Sequence, residues 1–293
     1  MFDLHKIPCD RPVFIAGPTA SGKSELALRI AEKSGGQIIN ADALQVYANW
    51  NVLTARPSAK DLNRAPHVLY GHIPADEDYS AGDWLRDVTP LLKGEPRAII
   101  VGGTGLYFAA LTEGLAQIPQ TPSEVRQEAC EVLQEQGIEG MLRSLDSETR
   151  AKIDERNPMR VQRAWEVLQA TGRGLAEWQK DTPPPTLPVS QAETLVLDAP
   201  KDWLTPRIEK RFDLMLKNGA LQEVEANLSD WNPSLQSAKA IGARELIAHL
   251  SGELTLEAAR EAVIVATRQY AKRQRTWFKA RMREWRVVEA TTL

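Results

Sequence analysis

The sequence is poor in the residues that cross-link small secreted proteins or hold metals. Its 293 residues include two cysteines, Cys9 and Cys130, which lie far apart and outside any CxxC pattern. Its four histidines show no zinc-ligand spacing. The sequence therefore argues against a disulfide framework and against a thiolate metal cage, and it favours a reducing compartment.

Long apolar runs, repeats of fixed period and a large net charge are also absent. No run approaches the roughly 20 apolar residues of a membrane-spanning helix, and the opening stretch "MFDLHKIPCDRPVFIAG" does not match a secretory signal. The net charge of -3 means that any polyanion has to be met by a local patch. We therefore expect a cytoplasmic protein that does not associate with a membrane.

Short apolar segments that end in glycine or aspartate predict buried strands, and helical patterns separate them. The predicted strands are Pro12–Gly17, Gly36–Asp42, Arg97–Gly105 and Glu193–Pro200, with "RVVEA" near the end as a last edge strand. Strands that alternate with helices favour a parallel α/β sheet.

The strand pattern disappears between residues 118 and 188, where helical patterns and a proline-rich return take its place. After Pro200 the chain is nearly all helical. The sequence thus predicts an α/β fold with a P-loop NTPase-like parallel sheet core. This core comprises residues 1–117 and 189–293, including a helical C-terminal region, and residues 118–188 form a helical insertion.

The segment "GPTASGKS" (Gly17–Ser24) matches the phosphate-binding pattern G-x-x-x-x-G-K-[ST] between a strand and a helix. Its backbone N–H groups can surround phosphate oxygens at a helix N-terminus, where the helix dipole also favours an anion. Lys23 adds a positive charge, and the Ser24 hydroxyl is the expected Mg²⁺ ligand. The motif indicates a bound diphosphate with Mg²⁺ but does not identify it as ATP.

Two further strand ends carry polar residues that are expected at the same crevice. Asp42 follows the second strand and Thr104 follows the third, and the carboxyl ends of parallel strands lie at one edge of a sheet. Asp42 can act as a general base or bind Mg²⁺ through water, although each residue can also simply cap a helix. The third strand, "AIIVGGT", lacks the metal-binding aspartate expected of a nucleoside triphosphatase.

The segment Arg260–Arg286 concentrates positive charge, with nine basic and two acidic residues. Tyr270, Trp277, Phe278 and Trp285 lie between the basic residues. A solvated charged face is one interpretation, and an RNA-binding surface is the other, which the net charge of +7 within this segment favours.

Taken together, these motifs resemble the bacterial tRNA dimethylallyltransferase family, also called tRNA isopentenyltransferase. The resemblance spans the chain and rests on "GPTASGKS", "NADALQVY", "APHVLYGHIPADEDYSAGDW", "VGGTGLYFAALTEGL", "NPMRVQRAWEVLQATGR", "RIEKRFDLML", "AIGARE" and "ATRQYAKRQRTWFK". The phosphate-binding pattern is common to many families, whereas the ordered set is specific.

The resemblance implies transfer of a dimethylallyl group from dimethylallyl diphosphate to the exocyclic amine of an adenosine. That adenosine lies 3′ to the anticodon in tRNAs that read codons beginning with U, and it would be flipped out of the stack. The expected partners are the anticodon stem-loop of tRNA, gripped by the insertion, and dimethylallyl diphosphate. The expected cofactor is Mg²⁺ and the expected state is a monomer.

The resemblance also implies roles for individual residues. Asp42 would be the general base, Thr104 would lie near the diphosphate or the reacting amine, and Ser24 would bind the metal. The diphosphate site would comprise Gly17, Pro18, Thr19, Ala20, Ser21, Gly22, Lys23, Ser24, Arg160 and Arg211. The tRNA contacts would comprise Asp42, Ala43, Leu44, Gln45, Thr104, Arg126, Met159, Arg160, Val161, Gln162, Arg163, Lys239, Ala240, Ile241, Gly242, Ala243 and Arg244.

The sequence departs from the family pattern at Ala43, Ala48 and Ala243, where serine, a basic residue and tyrosine are usual. These changes affect expected tRNA or diphosphate contacts and leave the phosphate loop, Asp42 and Thr104 in place. Two alternatives stay open at this point. One is an adenylate isopentenyltransferase that acts on a free nucleotide, and the other is a P-loop NTPase that serves as an RNA-binding switch.

Overall fold

The computed structural model describes residues 2–293, which divide into two compact units. The larger unit comprises the described residues up to Thr112 together with residues 187–293, and the smaller comprises residues 113–186. The sequence prediction had put the boundaries of the insertion at residues 118 and 188.

The larger unit contains a six-stranded sheet in which every pair of neighbouring strands is parallel. Its spatial order is β3-β2-β4-β1-β5-β6. The strands are β1 (Val13–Ala16), β2 (Gln37–Asn40), β3 (His67–Val68), β4 (Ala98–Gly102), β5 (Glu193–Asp198) and β6 (Arg286–Glu289). The predicted α/β class with a parallel sheet is confirmed. The two-residue β3 was not predicted, because so short a strand has no readable alternation.

Twelve α-helices occur in the described residues. They are α1 (Lys23–Ser34), α2 (Ala59–Arg64), α3 (Ala81–Val88), α4 (Gly105–Thr112), α5 (Ser123–Leu142), α6 (Ser147–Lys152), α7 (Pro158–Thr171), α8 (Leu175–Lys180), α9 (Lys201–Lys217), α10 (Ala220–Ala226), α11 (Ala243–Leu250) and α12 (Leu256–Arg281). None of these helices combines the length and the apolar character needed to cross a membrane.

The core of the larger unit lies on both faces of the sheet. Strand β1 is buried throughout, as expected for a central parallel strand that helices cover on both sides. Val13 and Ile15 pack into the cluster that includes α1, whereas Phe14 and Ala16 pack into the cluster that includes α4. Successive side chains of a strand point to opposite faces, so one short apolar strand anchors both layers.

The smaller unit is helical, and its helix ends follow local sequence signals. Helix α7 begins after Asn157, whose side chain accepts a hydrogen bond from the Arg160 N–H, and Pro158 occupies the first turn. It ends at Gly172, which adopts the left-handed conformation. The long helix α5 is interrupted at Gly137. Trp165 is buried in the core of this unit.

Candidate active site

Three neighbouring strands bring the predicted catalytic residues to one edge of the sheet. The phosphate loop follows β1, Thr104 follows β4 and Asp42 follows β2. Because β4 lies between β1 and β2, these loops are adjacent at the carboxyl edge. This strand order supports the predicted crevice that the phosphate loop, Asp42 and Thr104 share.

The phosphate loop has the backbone conformation expected of an anion-binding turn. Gly22 has φ 92° and precedes α1, and a side chain on Gly17 would overlap the Ser21 hydroxyl. The first N–H groups of α1 have no partners within the helix, as at any helix N-terminus. The Lys23 ammonium lies 3.5 Å from the Pro18 carbonyl oxygen. The loop is therefore shaped to present N–H groups and one ammonium to an anion.

Helix α9 adds three basic side chains to the mouth of this loop. Arg207, Lys210 and Arg211 line a cavity of about 330 Å³ together with Ala20–Glu25. The Arg207 Nε–H donates a hydrogen bond of 2.9 Å to the Ala20 carbonyl oxygen. Of these three, the sequence analysis had selected only Arg211. Their spacing of three and four residues, which puts them on one helix face, is the signal that could have revealed the others.

The Asp42 carboxylate is held by its own loop. Its Oδ1 atom accepts a hydrogen bond of 3.0 Å from the Leu44 N–H. Among residues 2–293, no protein group donates a hydrogen bond to Oδ2, so this oxygen is available to a substrate. The Thr104 hydroxyl oxygen accepts the Ala43 N–H at 2.9 Å. Thr104 therefore fixes the segment that carries Asp42, and its hydroxyl hydrogen is still free to donate.

A small, largely apolar cavity of about 70 Å³ adjoins Asp42. Its polar lining includes Thr19 of the phosphate loop, Asp42 and Arg211. Its apolar lining consists of Leu44, Leu53, Ile208, Phe212, Met215, Ile241 and Val263. Arg211 also lines the phosphate-loop cavity, so it connects the apolar space with the basic mouth.

The charges at this edge are coupled. Burial lowers the pKa of Lys23 to about 8, an effect that the Asp42 carboxylate opposes and the Arg211 guanidinium reinforces. Burial raises the pKa of Tyr70 and of Tyr270, and the charge of Asp42 adds to both shifts. The pKa of Tyr107 is raised by the same two causes, so the charge of Asp42 acts on two cations and three phenols.

The glycines after β4 allow close packing of protein rather than close approach of a ligand. A side chain on Gly102 would overlap the Ala41 backbone, one on Gly103 would overlap Gln274, and one on Gly105 would overlap Trp277. Each of these glycines is approached closely by another part of the larger unit. The structure identifies these parts as the β2 loop and helix α12.

Gln274 is a site residue that the sequence analysis missed. It is 5% exposed, accepts a hydrogen bond from the Thr19 N–H at 2.9 Å and donates one to the Gly103 carbonyl oxygen at 3.0 Å. Gln274 lies four residues from both Tyr270 and Phe278, so its polar side chain falls in a row of inward-facing residues on α12. That placement is the sequence signal that could have revealed it.

Several residues predicted to contact tRNA have side chains that serve the fold. Val161, Ala240 and Ala243 are at most 3% exposed, so their side chains cannot reach an RNA in this conformation. The Gln45 amide donates to the carbonyl oxygens of Thr54 and Ala55. The prediction that these residues contact tRNA therefore stays a prediction, and any contact of Val161, Ala240 or Ala243 would have to involve the backbone.

The other predicted tRNA contacts lie in two groups. Lys239 and Arg244 are exposed in the larger unit, where Ile241 lines the cavity beside Asp42. Arg126, Met159, Arg160, Gln162 and Arg163 belong to the smaller unit. There burial lowers the pKa of Arg163 and the nearby Arg126 adds to the effect. Arg160, also predicted to bind the diphosphate, lies in that unit too, and its role stays a prediction.

Helix α12 presents its basic residues to a separate groove of about 1010 Å³. Arg268, Lys272, Arg275 and Lys279 recur every three or four residues and so form one stripe, roughly opposite Tyr270 and Gln274 around the helix, and Arg283, just past the end of α12, lines the same groove. Lys201 of α9 also lines the groove. Among the described residues that line it, Asp198 is the acidic one.

Among residues 2–293, no cluster of three or more histidine, cysteine, aspartate or glutamate side chains could hold a metal ion. The oxygen donors at the site are the exposed Ser24 hydroxyl and the Asp42 carboxylate. Such a sparse set of oxygen ligands suits Mg²⁺, which keeps several waters and takes its remaining ligands from phosphate oxygens.

Comparisons with known proteins agree with the resemblance drawn from the motifs. A family model described as IPP transferase matches residues 45–281, and one described as isopentenyl transferase matches residues 12–74. The chain is 64% identical to a tRNA dimethylallyltransferase of a Ruegeria species, over 98% of this chain and 99% of the relative. It is 62% identical to that of Dinoroseobacter shibae, over 98% and 97% of the two chains.

Solved structures give the same result. The tRNA delta(2)-isopentenylpyrophosphate transferase of Staphylococcus epidermidis has a TM-score of 0.66 and 30% identity, with 96% of this chain and 94% of that chain covered. A eukaryotic dimethylallyltransferase acting on tRNA, at 24% identity and a TM-score of 0.78 over 96% of this chain and 74% of that one, shares the fold. These similarities over nearly the whole sequence confirm the predicted resemblance: the chain belongs to the tRNA dimethylallyltransferase family of prenyl-transferring enzymes.

Proposed function

We propose that this enzyme joins the dimethylallyl group of dimethylallyl diphosphate to the exocyclic nitrogen of the adenosine 3′ to the anticodon. The acceptors are tRNAs that read codons beginning with U. The observation that carries the proposal is the adjacency of a basic phosphate loop, an apolar cavity and a carboxylate with a free oxygen. Each part matches one part of the reaction: the leaving diphosphate, the isoprenoid tail and the amine proton.

The diphosphate binds at the phosphate loop. The N–H groups that begin α1 and the Lys23 ammonium contact its oxygens, and Arg207, Lys210 and Arg211 neutralise charge at the mouth. Mg²⁺, held by the Ser24 hydroxyl and by the diphosphate, would neutralise charge that builds up as the C–O bond breaks. The dimethylallyl tail then extends into the apolar cavity, past Arg211 towards Asp42.

Asp42 acts as the general base. The adenine amine is a weak nucleophile, because its lone pair is delocalised into the ring, and it becomes acidic as it bonds to carbon. The N–C bond forms at the allylic carbon, the C–O bond to the diphosphate breaks, and the amine proton passes to Oδ2 of Asp42. Thr104 holds the Ala43 N–H, which keeps the carboxylate segment in place. General-base help of this kind contributes about 10²- to 10⁴-fold in rate.

RNA binding draws on the exposed basic surfaces. The stripe on α12 and the exposed Lys239 and Arg244 supply positive charge in the larger unit. The helices of residues 113–186 grip the anticodon stem, with the target base flipped towards Asp42. Because tRNA is the acceptor, the reaction takes place in the cytoplasm. We propose that the enzyme acts as a monomer, as the family resemblance implies.

A labelling experiment tests the proposal against its alternatives. The protein is incubated with radiolabelled dimethylallyl diphosphate and, in separate reactions, with tRNA, AMP or ATP. We expect label in tRNA alone. Label in AMP would instead indicate an adenylate isopentenyltransferase. Hydrolysis of ATP stimulated by RNA, without any transfer, would indicate a nucleotide-driven RNA-binding switch.

A further inference from the structure

We propose that Gln274 is a positioning residue that holds the diphosphate loop and the Asp42 segment at a fixed spacing. The inference rests on the proposed function, since both parts have to meet in one reaction. Its basis is a single buried amide that bonds to both parts from the last helix of the chain.

The first contact of Gln274 is with the phosphate loop. Its Oε1 atom accepts the Thr19 N–H at 2.9 Å, across 255 positions of the sequence. Thr19 begins the turn that connects β1 to α1. The contact therefore fixes the backbone on the β1 side of the turn, and the N–H groups that begin α1 stay free for an anion.

The second contact is with the segment that supports the base. Gln274 Nε2 donates to the Gly103 carbonyl oxygen at 3.0 Å. The next residue, Thr104, accepts the Ala43 N–H beside Asp42. Gly103 itself faces the carboxylate, since a side-chain carbon there would lie 3.5 Å from Asp42 Oδ2. A change at Gln274 should thus reach Asp42 through Gly103 and Thr104.

An amide suits this task because it offers an acceptor oxygen and a donor NH2 group at the end of one side chain. Methionine has similar length and removes both bonds. It would leave the part-buried Thr19 N–H and the buried Gly103 carbonyl without these partners, and the two loops would be free to move apart. Misplacement of reacting groups by about 1 Å can cost roughly 100-fold in rate.

The experiment measures single-turnover transfer to tRNA for Gln274→Met, with Gln222→Met as the matched control. Gln222 is exposed on α10, away from the site residues described above. We expect Gln274→Met to lower the rate at saturating substrates by roughly 100-fold. Dissociation constants for dimethylallyl diphosphate and tRNA should change less than about threefold, and Gln222→Met should behave as the parent.

A double-mutant cycle with Asp42→Asn separates positioning from general loss of structure. If Gln274 acts by placing the base, adding Gln274→Met to the Asp42→Asn variant should lower its transfer rate by at most about threefold. An equal loss in both backgrounds would overturn the proposal, as would a parental rate for Gln274→Met.

Gly103→Ala provides a second route to the same answer if Gln274→Met does not fold. Its added carbon would overlap the Gln274 amide and displace it while leaving the side chain intact. We expect the same loss of rate with binding retained, and a parental rate would contradict the proposal. A parent enzyme that transfers no label to tRNA would refute the proposed function instead, so the two failures are distinguishable.

Discussion

The affinity for dimethylallyl diphosphate should fall as the pH rises above 8, because Lys23 then loses its proton. Burial and the neighbouring Arg211 lower the pKa of Lys23 to about 8 in the free enzyme, although Asp42 opposes them. A bound diphosphate favours the ammonium and raises that pKa. The ligand therefore binds the protonated form, and each unit of pH above the free pKa weakens binding about tenfold.

Between pH 7 and pH 9 the dissociation constant should rise about tenfold, from the ratio of deprotonated to protonated Lys23 in the free enzyme. This requires the bound diphosphate to raise the pKa of Lys23 by about two units, which corresponds to a preference of roughly 2.7 kcal/mol for the protonated form. Charge-assisted hydrogen bonds of about 1.5 to 3 kcal/mol supply that amount. The last ionisation of a phosphate group lies near 6, so the ligand keeps its charge throughout the window.

Isothermal titration calorimetry at fixed Mg²⁺ can measure this dependence. At pH 8 the formation of each complex should take up about half a proton. The binding enthalpies measured in two buffers of different ionisation enthalpy should therefore differ in proportion to that uptake. Lys23→Arg is the control, because a guanidinium stays charged across the range and its profile should be flat. A parent affinity that is constant from pH 7 to pH 9, or a Lys23→Arg profile that falls like the parent's, would refute the reasoning.

Three further outcomes are expected. Asp42→Asn should lower kcat by about 10²- to 10⁴-fold with little change in binding, and rescue of single-turnover rates by excess Mg²⁺ would reassign Asp42 to the metal. Replacing Lys272 and Lys279 with glutamine should reduce the slope of log tRNA affinity against log salt concentration by about one unit per lost phosphate contact. An unchanged slope would show that these two lysines do not contact RNA phosphates. Gly105→Ala should lower the free energy of unfolding by about 1 to 3 kcal/mol in urea, because its new carbon meets the Trp277 ring; an unchanged midpoint would show that the ring can move aside.

The sequence predicted the sheet and the phosphate loop because both depend on local pattern. Strand β1 reads as an apolar run before a glycine, and α1 follows it with helical spacing. The position of Asp42 beside the loop needed one more step, the rule that parallel strands share a carboxyl edge. The strand order, with β4 between β1 and β2, satisfies it.

The contacts of the last helix could not be predicted in the same way. The sequence showed glycines after β4 but contained no sign that Gln274 and Trp277 would be the groups that approach them. The basic residues of α12 were evident in composition, yet which of them share the groove depends on how the helix rotates against α9. Such contacts between distant segments arise from packing of the whole unit and leave little trace in a local pattern.

The bond between Thr19 and Gln274 has a consequence for how the protein is made. During synthesis the phosphate loop leaves the ribosome early, whereas its partner is translated 255 residues later. At about 5 to 20 residues per second, that delay is on the order of tens of seconds. A nascent chain, or a product truncated before α12, would therefore carry the complete phosphate-loop sequence without the amide that braces it. The phosphate loop thus gains this hydrogen bond only after α12 has been translated.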